Sequence, residues 1–78
     1  MLTDNHLDLL GLRCPLPLLR TKATLKRLPE GATLSVSAND PEAERDFREY
    51  CALAGYQLTI EQPTSGTFVF RIKRETPR

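Results

Sequence analysis

Hydrophobic and polar positions change their period several times along the chain. His6 to Leu10 sets Leu7 and Leu9 against His6 and Asp8, the two-residue alternation of a short strand, and Gly11 stops it. From Pro15 to Leu28 the spacing widens: Leu18, Thr21, Leu25 and Leu28 recur every three or four residues, flanked by Leu19 and Ala23. That is an apolar stripe on a helix, ended by Pro29 and Gly31. Ala32 to Ala38 alternates again, Leu34 and Val36 against Thr33, Ser35 and Ser37, as a strand buried on one face does. Asp40 then reads as an N-cap and Pro41 as the first residue of a second helix, with Ala43, Phe47, Tyr50, Cys51 and Ala54 along one side until Gly55. Leu58 and Ile60 alternate with Gln57, Thr59 and Glu61, Pro63 to Gly66 turn the chain, and Phe68, Phe70 and Ile72 alternate with Val69, Arg71 and Lys73. A terminal hairpin is predicted.

The element order is therefore βαβαββ. Crossovers between parallel strands are right-handed, so two in succession in one direction bring both helices to the same sheet face. The predicted fold is a two-layer α/β sandwich, two helices on one face of a four-stranded mixed sheet. Periodicity does not fix the strand order. With 78 residues and 40% apolar composition, one folded domain spanning 1–78 is expected. A chain of this size buries roughly 60% of its unfolded surface, which leaves no room for a second core or a buried catalytic cavity. Any chemistry should sit at the surface.

Charge and cysteine content narrow the classes further. A net charge of +1 removes the bulk cationic signature of a dedicated nucleic-acid binder. The apolar stretches Leu9 to Leu12 and Leu16 to Leu19 are far shorter than the ~18 residues of a membrane span. Asp4 and Asp8 stand where a signal peptide would carry basic residues, so a cytoplasmic location is expected, without membrane attachment. Two cysteines, Cys14 and Cys51, are fewer than small disulfide scaffolds use, which favours free thiols.

Cys14 lies in the run Leu12-Arg13-Cys14-Pro15-Leu16-Pro17, on the connection between the first strand and the first helix. Pro15 and Pro17 fit first-turn positions, whose N–H groups have no intrahelical partner, so neither ring should break the helix. Cys14 then falls at or beside the N-cap. There its sulfur is expected to face the free N–H groups of Leu16 and Leu18, with Arg13 as a nearby cation, an environment that favours thiolate. Read blandly, Cys14 is a small apolar loop residue and Pro15 a routine helix starter. The second proline argues against this, because it stiffens the exposed turn that presents the sulfur.

This run also resembles the TusA-type sulfur carriers, the SirA-like or YedF-like proteins, whose hallmark is Cys-Pro-x-Pro after a Leu-Asp-x-x-Gly-Leu lead-in. Here it reads Leu7-Asp8-Leu9-Leu10-Gly11-Leu12-Arg13-Cys14-Pro15-Leu16-Pro17. The resemblance continues through Asn39-Asp40-Pro41, Arg45-Asp46-Phe47, Tyr50-Cys51, Gly55-Tyr56 and the closing Phe70, Ile72 and Lys73. It implies the same βαβαββ sandwich, similar to the C-terminal domain of translation initiation factor three. It further implies that Cys14 carries a persulfide, supported by Arg13, Pro15 and Pro17. A cysteine desulfurase or rhodanese would be the donor. Acceptor proteins would serve tRNA thiolation, molybdenum cofactor supply or sulfur oxidation. Such a sulfurtransferase-type carrier needs no cofactor and no metal, and shows no turnover without its partners. A monomer is expected.

The other candidate residues read more plainly. Cys51 lies on an apolar stripe, where burial raises a thiol's pKa and makes it inert. His6, Cys14 and Cys51 have no metal spacing, and no C-x-x-C is present. Tyr50 and Tyr56 read as core and rim packing. Between Leu9 and Pro29 lie Arg13, Arg20, Lys22, Lys26 and Arg27 with no acid. This is either a solvated helix face or a surface that docks an acidic partner through Arg20, Lys22 and Lys26. A competing function is a non-enzymatic regulatory or binding module with Cys14 as a redox sensor. The open sheet face, which shows Thr33, Ser35, Ser37, Thr59, Val69, Arg71 and Lys73 without an aromatic pair, does not suit direct RNA reading.

Overall fold

A computed structural model describes residues 5–74. Its elements follow the predicted order: β1 (Asn5–Asp8), α1 (Leu16–Arg27), β2 (Thr33–Ala38), α2 (Ala43–Ala54), β3 (Gln57–Thr64) and β4 (Thr67–Lys73). The four strands form one sheet in the order β1-β2-β4-β3. β1 runs parallel to β2, while β4 is antiparallel to both β2 and β3. The mixed two-layer α/β sandwich is therefore the one anticipated, now with its strand order.

Alternation along β2 and β4 puts Leu34, Val36, Ala38, Phe70 and Ile72 in one buried cluster with Leu25 of α1 and Ala43, Phe47 and Cys51 of α2. Phe47 stacks on Phe70 with ring centroids 4.3 Å apart, so the second helix is fixed to the sheet centre by an aromatic pair. The opposite sheet face stays polar. There Ser35 stands opposite Arg71, Arg71 pairs with Glu61 at 2.7 Å, and His6 Nε2 lies 3.2 Å from Ser37 Oγ.

Several boundaries depart from the sequence reading. β1 ends at Asp8; Leu9 is buried just beyond it, its N–H donating to Ser37 O at 2.8 Å. Pro15 is the N-cap and Pro17 the second helical residue, one position earlier in the helix count than expected. Leu28 leaves α1 with extended backbone (φ −89, ψ 148), because the following Pro29 disfavours the helical region. Leu19, placed beside the apolar stripe, is exposed. Asp40 is not the N-cap of α2, nor Pro41 its first residue: a turn closed by Ala43 N–H to Asp40 O (3.0 Å) precedes the helix, whose N-cap is Glu42. β3 continues past Pro63, and the hairpin turns at Ser65 and Gly66, the latter at φ 82. Pro63 has no N–H for the ladder, and the register shifts between Glu61 and Thr64.

Candidate functional site

Because β1 and β2 are adjacent and parallel, the segments that follow them leave the sheet at the same end. The first carries Cys14 and the second carries Asn39 and Asp40. Gly11, at φ 87, donates its N–H to Asn39 Oδ1 at 2.9 Å; the positive φ is a conformation that side-chain-bearing residues rarely take. Asp40 is buried, and its Oδ2 accepts the backbone N–H of Cys14 at 3.2 Å. The thiol loop is thus tied at two points to the β2–α2 connection. A carboxylate used in this way is satisfied by a backbone donor rather than by a cation.

Cys14 itself is exposed. It directly precedes Pro15, the N-cap of α1, through a cis peptide bond, so it stands beside the helix without being its cap. Its sulfur does not take up the N–H of Leu16, which donates instead to Arg13 O at 2.8 Å. The Sγ–H donates to Asp46 Oδ2 of α2, 3.3 Å away. That hydrogen bond, followed by partial desolvation and the negative charges of Asp46, Asp40 and Glu42, raises the Cys14 pKa. This corrects the expectation of a favoured thiolate. Arg13 and the start of α1 are nearby in the chain, but the net effect on the sulfur is set by Asp46 and the other carboxylates of the neighbouring connection and helix.

The second thiol behaves as anticipated. Cys51 is buried on α2 beside Phe47, and desolvation pushes its pKa up to about 11. Tyr50 and Tyr56 meet edge to face at 6.0 Å, a packing contact. Of the cationic residues, Arg13, Arg20 and Lys26 are exposed, whereas Lys22 is half-buried with its ammonium 5.4 Å from the Tyr50 ring centroid. Lys22 therefore already has a partner inside the protein. Sequence reasoning also missed the exposed apolar side chains near the motif, Leu10, Leu16 and Leu19. Among the described residues, no three His, Cys, Asp or Glu side chains come together as a metal would require.

The family model "Sulfurtransferase TusA" matches residues 5–74. The chain belongs to the TusA family. A "Sulfur carrier protein TusA" from Pseudomonas syringae pv. syringae is 37% identical over 73 residues, covering 94% of this chain and 87% of the relative. The one from Allochromatium vinosum is 41% identical over 71 residues, covering 91% and 93%. In fold, the chain is similar to a crystal structure of a SirA-like protein from Desulfitobacterium hafniense, with TM-score 0.82, 24% identity and coverage of 94% and 99%. The TusA resemblance read from the Cys-Pro-x-Pro run is thus supported across nearly the whole chain.

Proposed function

We propose that this TusA-family chain is a cytoplasmic sulfur carrier that accepts sulfane sulfur on Cys14 as a persulfide. A cysteine desulfurase or rhodanese supplies the sulfur and an acceptor protein of a thiolation, molybdenum-cofactor or sulfur-oxidation route removes it. The observation that carries this reading is the exposed Sγ of Cys14, held on a loop anchored at Gly11 and at its own backbone N–H. Sulfur exchange between thiols requires a nucleophile, an accessible sulfur and a leaving thiol supplied by the partner, and an exposed cysteine provides the first two. Leu10, Leu16 and Leu19, all exposed and close to Cys14 in sequence, offer apolar surface suited to transient coverage by a protein partner. Exposed Arg20 and Lys26 would contribute charge at its margin; Lys22 would contribute less, being engaged with Tyr50.

The test is intact mass after incubation with a cysteine desulfurase and free cysteine. The protein should gain sulfur, peptide mapping should find it on Cys14, Cys14→Ser should abolish the gain and Cys51→Ala should retain it. Oxygen addition on Cys14 with no sulfur uptake would favour a redox-sensing role instead.

A further inference from the structure

The contact between Cys14 and Asp46 joins two elements distant in sequence and presents the reactive atom with a proton acceptor. Asp46 Oδ2 lies 3.3 Å from Sγ, within hydrogen-bond reach, on a helix whose position is fixed by the Phe47–Phe70 stack one residue further on. We propose that Asp46 is a catalytic residue of sulfur capture, taking the Cys14 proton as the new sulfur–sulfur bond forms. This rests on the carrier reading above and adds to it the fate of the proton.

The reactants are Cys14–S–H, the Asp46 carboxylate and a donor cysteine bearing –S–S–H. Sγ bonds to the donor's terminal sulfur, the donor's own sulfur–sulfur bond breaks, and its electron pair leaves on the donor cysteine as a thiolate. The Cys14 proton passes to Asp46. The products are Cys14–S–S–H, the donor thiolate and a neutral Asp46 carboxylic acid, which returns its proton to the donor thiolate or to water as the complex separates. The sulfane sulfur changes hosts without net oxidation or reduction.

In the free protein an exposed thiol can lose its proton to water. Once a donor protein covers the sulfur, contact of the two reacting atoms at ~3–3.5 Å displaces solvent from that side. Asp46 is then already in place. A carboxylate is too weak a base to hold the proton of a resting thiol, so at rest the proton stays on Sγ and the hydrogen bond runs from sulfur to oxygen. As Sγ gives its electron pair to the incoming sulfur, its remaining S–H becomes strongly acidic and the same carboxylate becomes a competent acceptor. Arg13 lies on the loop of Cys14 itself, whereas the carboxylates whose charge acts on Sγ are Asp46 on α2 with Asp40 and Glu42 before it. They oppose a free thiolate, so the route in which the proton leaves during attack gains over the route in which it leaves beforehand.

The two routes give opposite results for Asp46→Asn, tested in a Cys51→Ala background. Iodoacetamide alkylation of the free protein at pH 7 reports the solvent-equilibrated thiolate, and should be faster in the variant because a negative neighbour is gone. Single-turnover loading from a cysteine desulfurase charged with free cysteine, at saturating donor, should be slower by about a hundredfold, the usual scale of a lost general base. Asp46→Glu should recover part of the loading rate. Loading that accelerates in step with alkylation, or stays unchanged, overturns the proposal and leaves Asp46 as a brake on ionisation. A parent protein that takes up no sulfur on Cys14 instead removes the carrier reading, and the role of Asp46 with it.

Discussion

At the scale of single residues, the two cysteines separate exposure from acidity, since one is exposed and one buried and both thiols have raised pKa values. Cys51 is buried among apolar side chains, and that burial pushes its thiol pKa up to about 11. Cys14 is exposed, yet its pKa is also raised, first by the hydrogen bond to Asp46. In the free protein Cys14 should therefore alkylate more slowly at pH 7 than a model peptide thiol, and its rate should still be climbing above the ordinary thiol range of ~8.5. A pH series of iodoacetamide rates with mapping of the modified peptide checks this; a Cys14 rate at pH 7 above the peptide's would restore the favoured-thiolate picture. The folded state holds the Cys51 proton more tightly than the unfolded chain does. That contribution to stability is complete below the unfolded thiol pKa and is lost as pH rises toward about 11.

At the scale of elements, the informative object is the paired set of segments after β1 and β2. Asp40 accepts the Cys14 N–H while buried, so Asp40→Ala would leave that donor without its charged acceptor and should cost about 1.5–3 kcal/mol. Denaturant titration measures the loss, and amide exchange at Cys14 should accelerate with it. Asp40→Asn, which keeps an acceptor oxygen, should lose less; an unaltered midpoint in both variants would mean that the bond contributes nothing. The sequence disclosed the strands, the helices and the exposed cysteine through period and through Cys-Pro-x-Pro. It did not disclose that Asn39 holds the loop of that cysteine at Gly11, or that Asp40 and Asp46 bond to Cys14 itself. Asp40 followed by Pro41 carries the signature of a helix start, and the local pattern contains nothing of the tertiary donor that redirects its side chain. The acidic stretch from Asp40 to Glu49 likewise has the composition of a solvated face. Only the parallel adjacency of β1 and β2, which alternation cannot specify, turns those residues toward the thiol.

At the scale of the whole molecule, one core supports everything else. Phe47 is fully buried against Phe70 and connects α2 to the central antiparallel pair of strands. Phe47→Ala should destabilise by about 3–5 kcal/mol, the usual cost of truncating a buried aromatic ring. Urea unfolding followed by circular dichroism measures it, and a shift too small to detect would mean that the helix is held by other contacts. Asp46 is the neighbour of Phe47 in sequence. The same truncation should therefore loosen the acceptor beside Cys14, so that structure and site are sensitive to one residue.

The hydrogen bond from Cys14 to Asp46 inverts an ordinary relation between folding and thiols. In most proteins folding protects a cysteine by hiding it, and unfolding makes it reactive by bringing it into water. Here the folded chain leaves the sulfur in full view and subdues it with a charge that is absent from its surroundings in the unfolded chain. The thiol is thus restrained by a neighbour rather than by a cover, and reaching it requires no door to open.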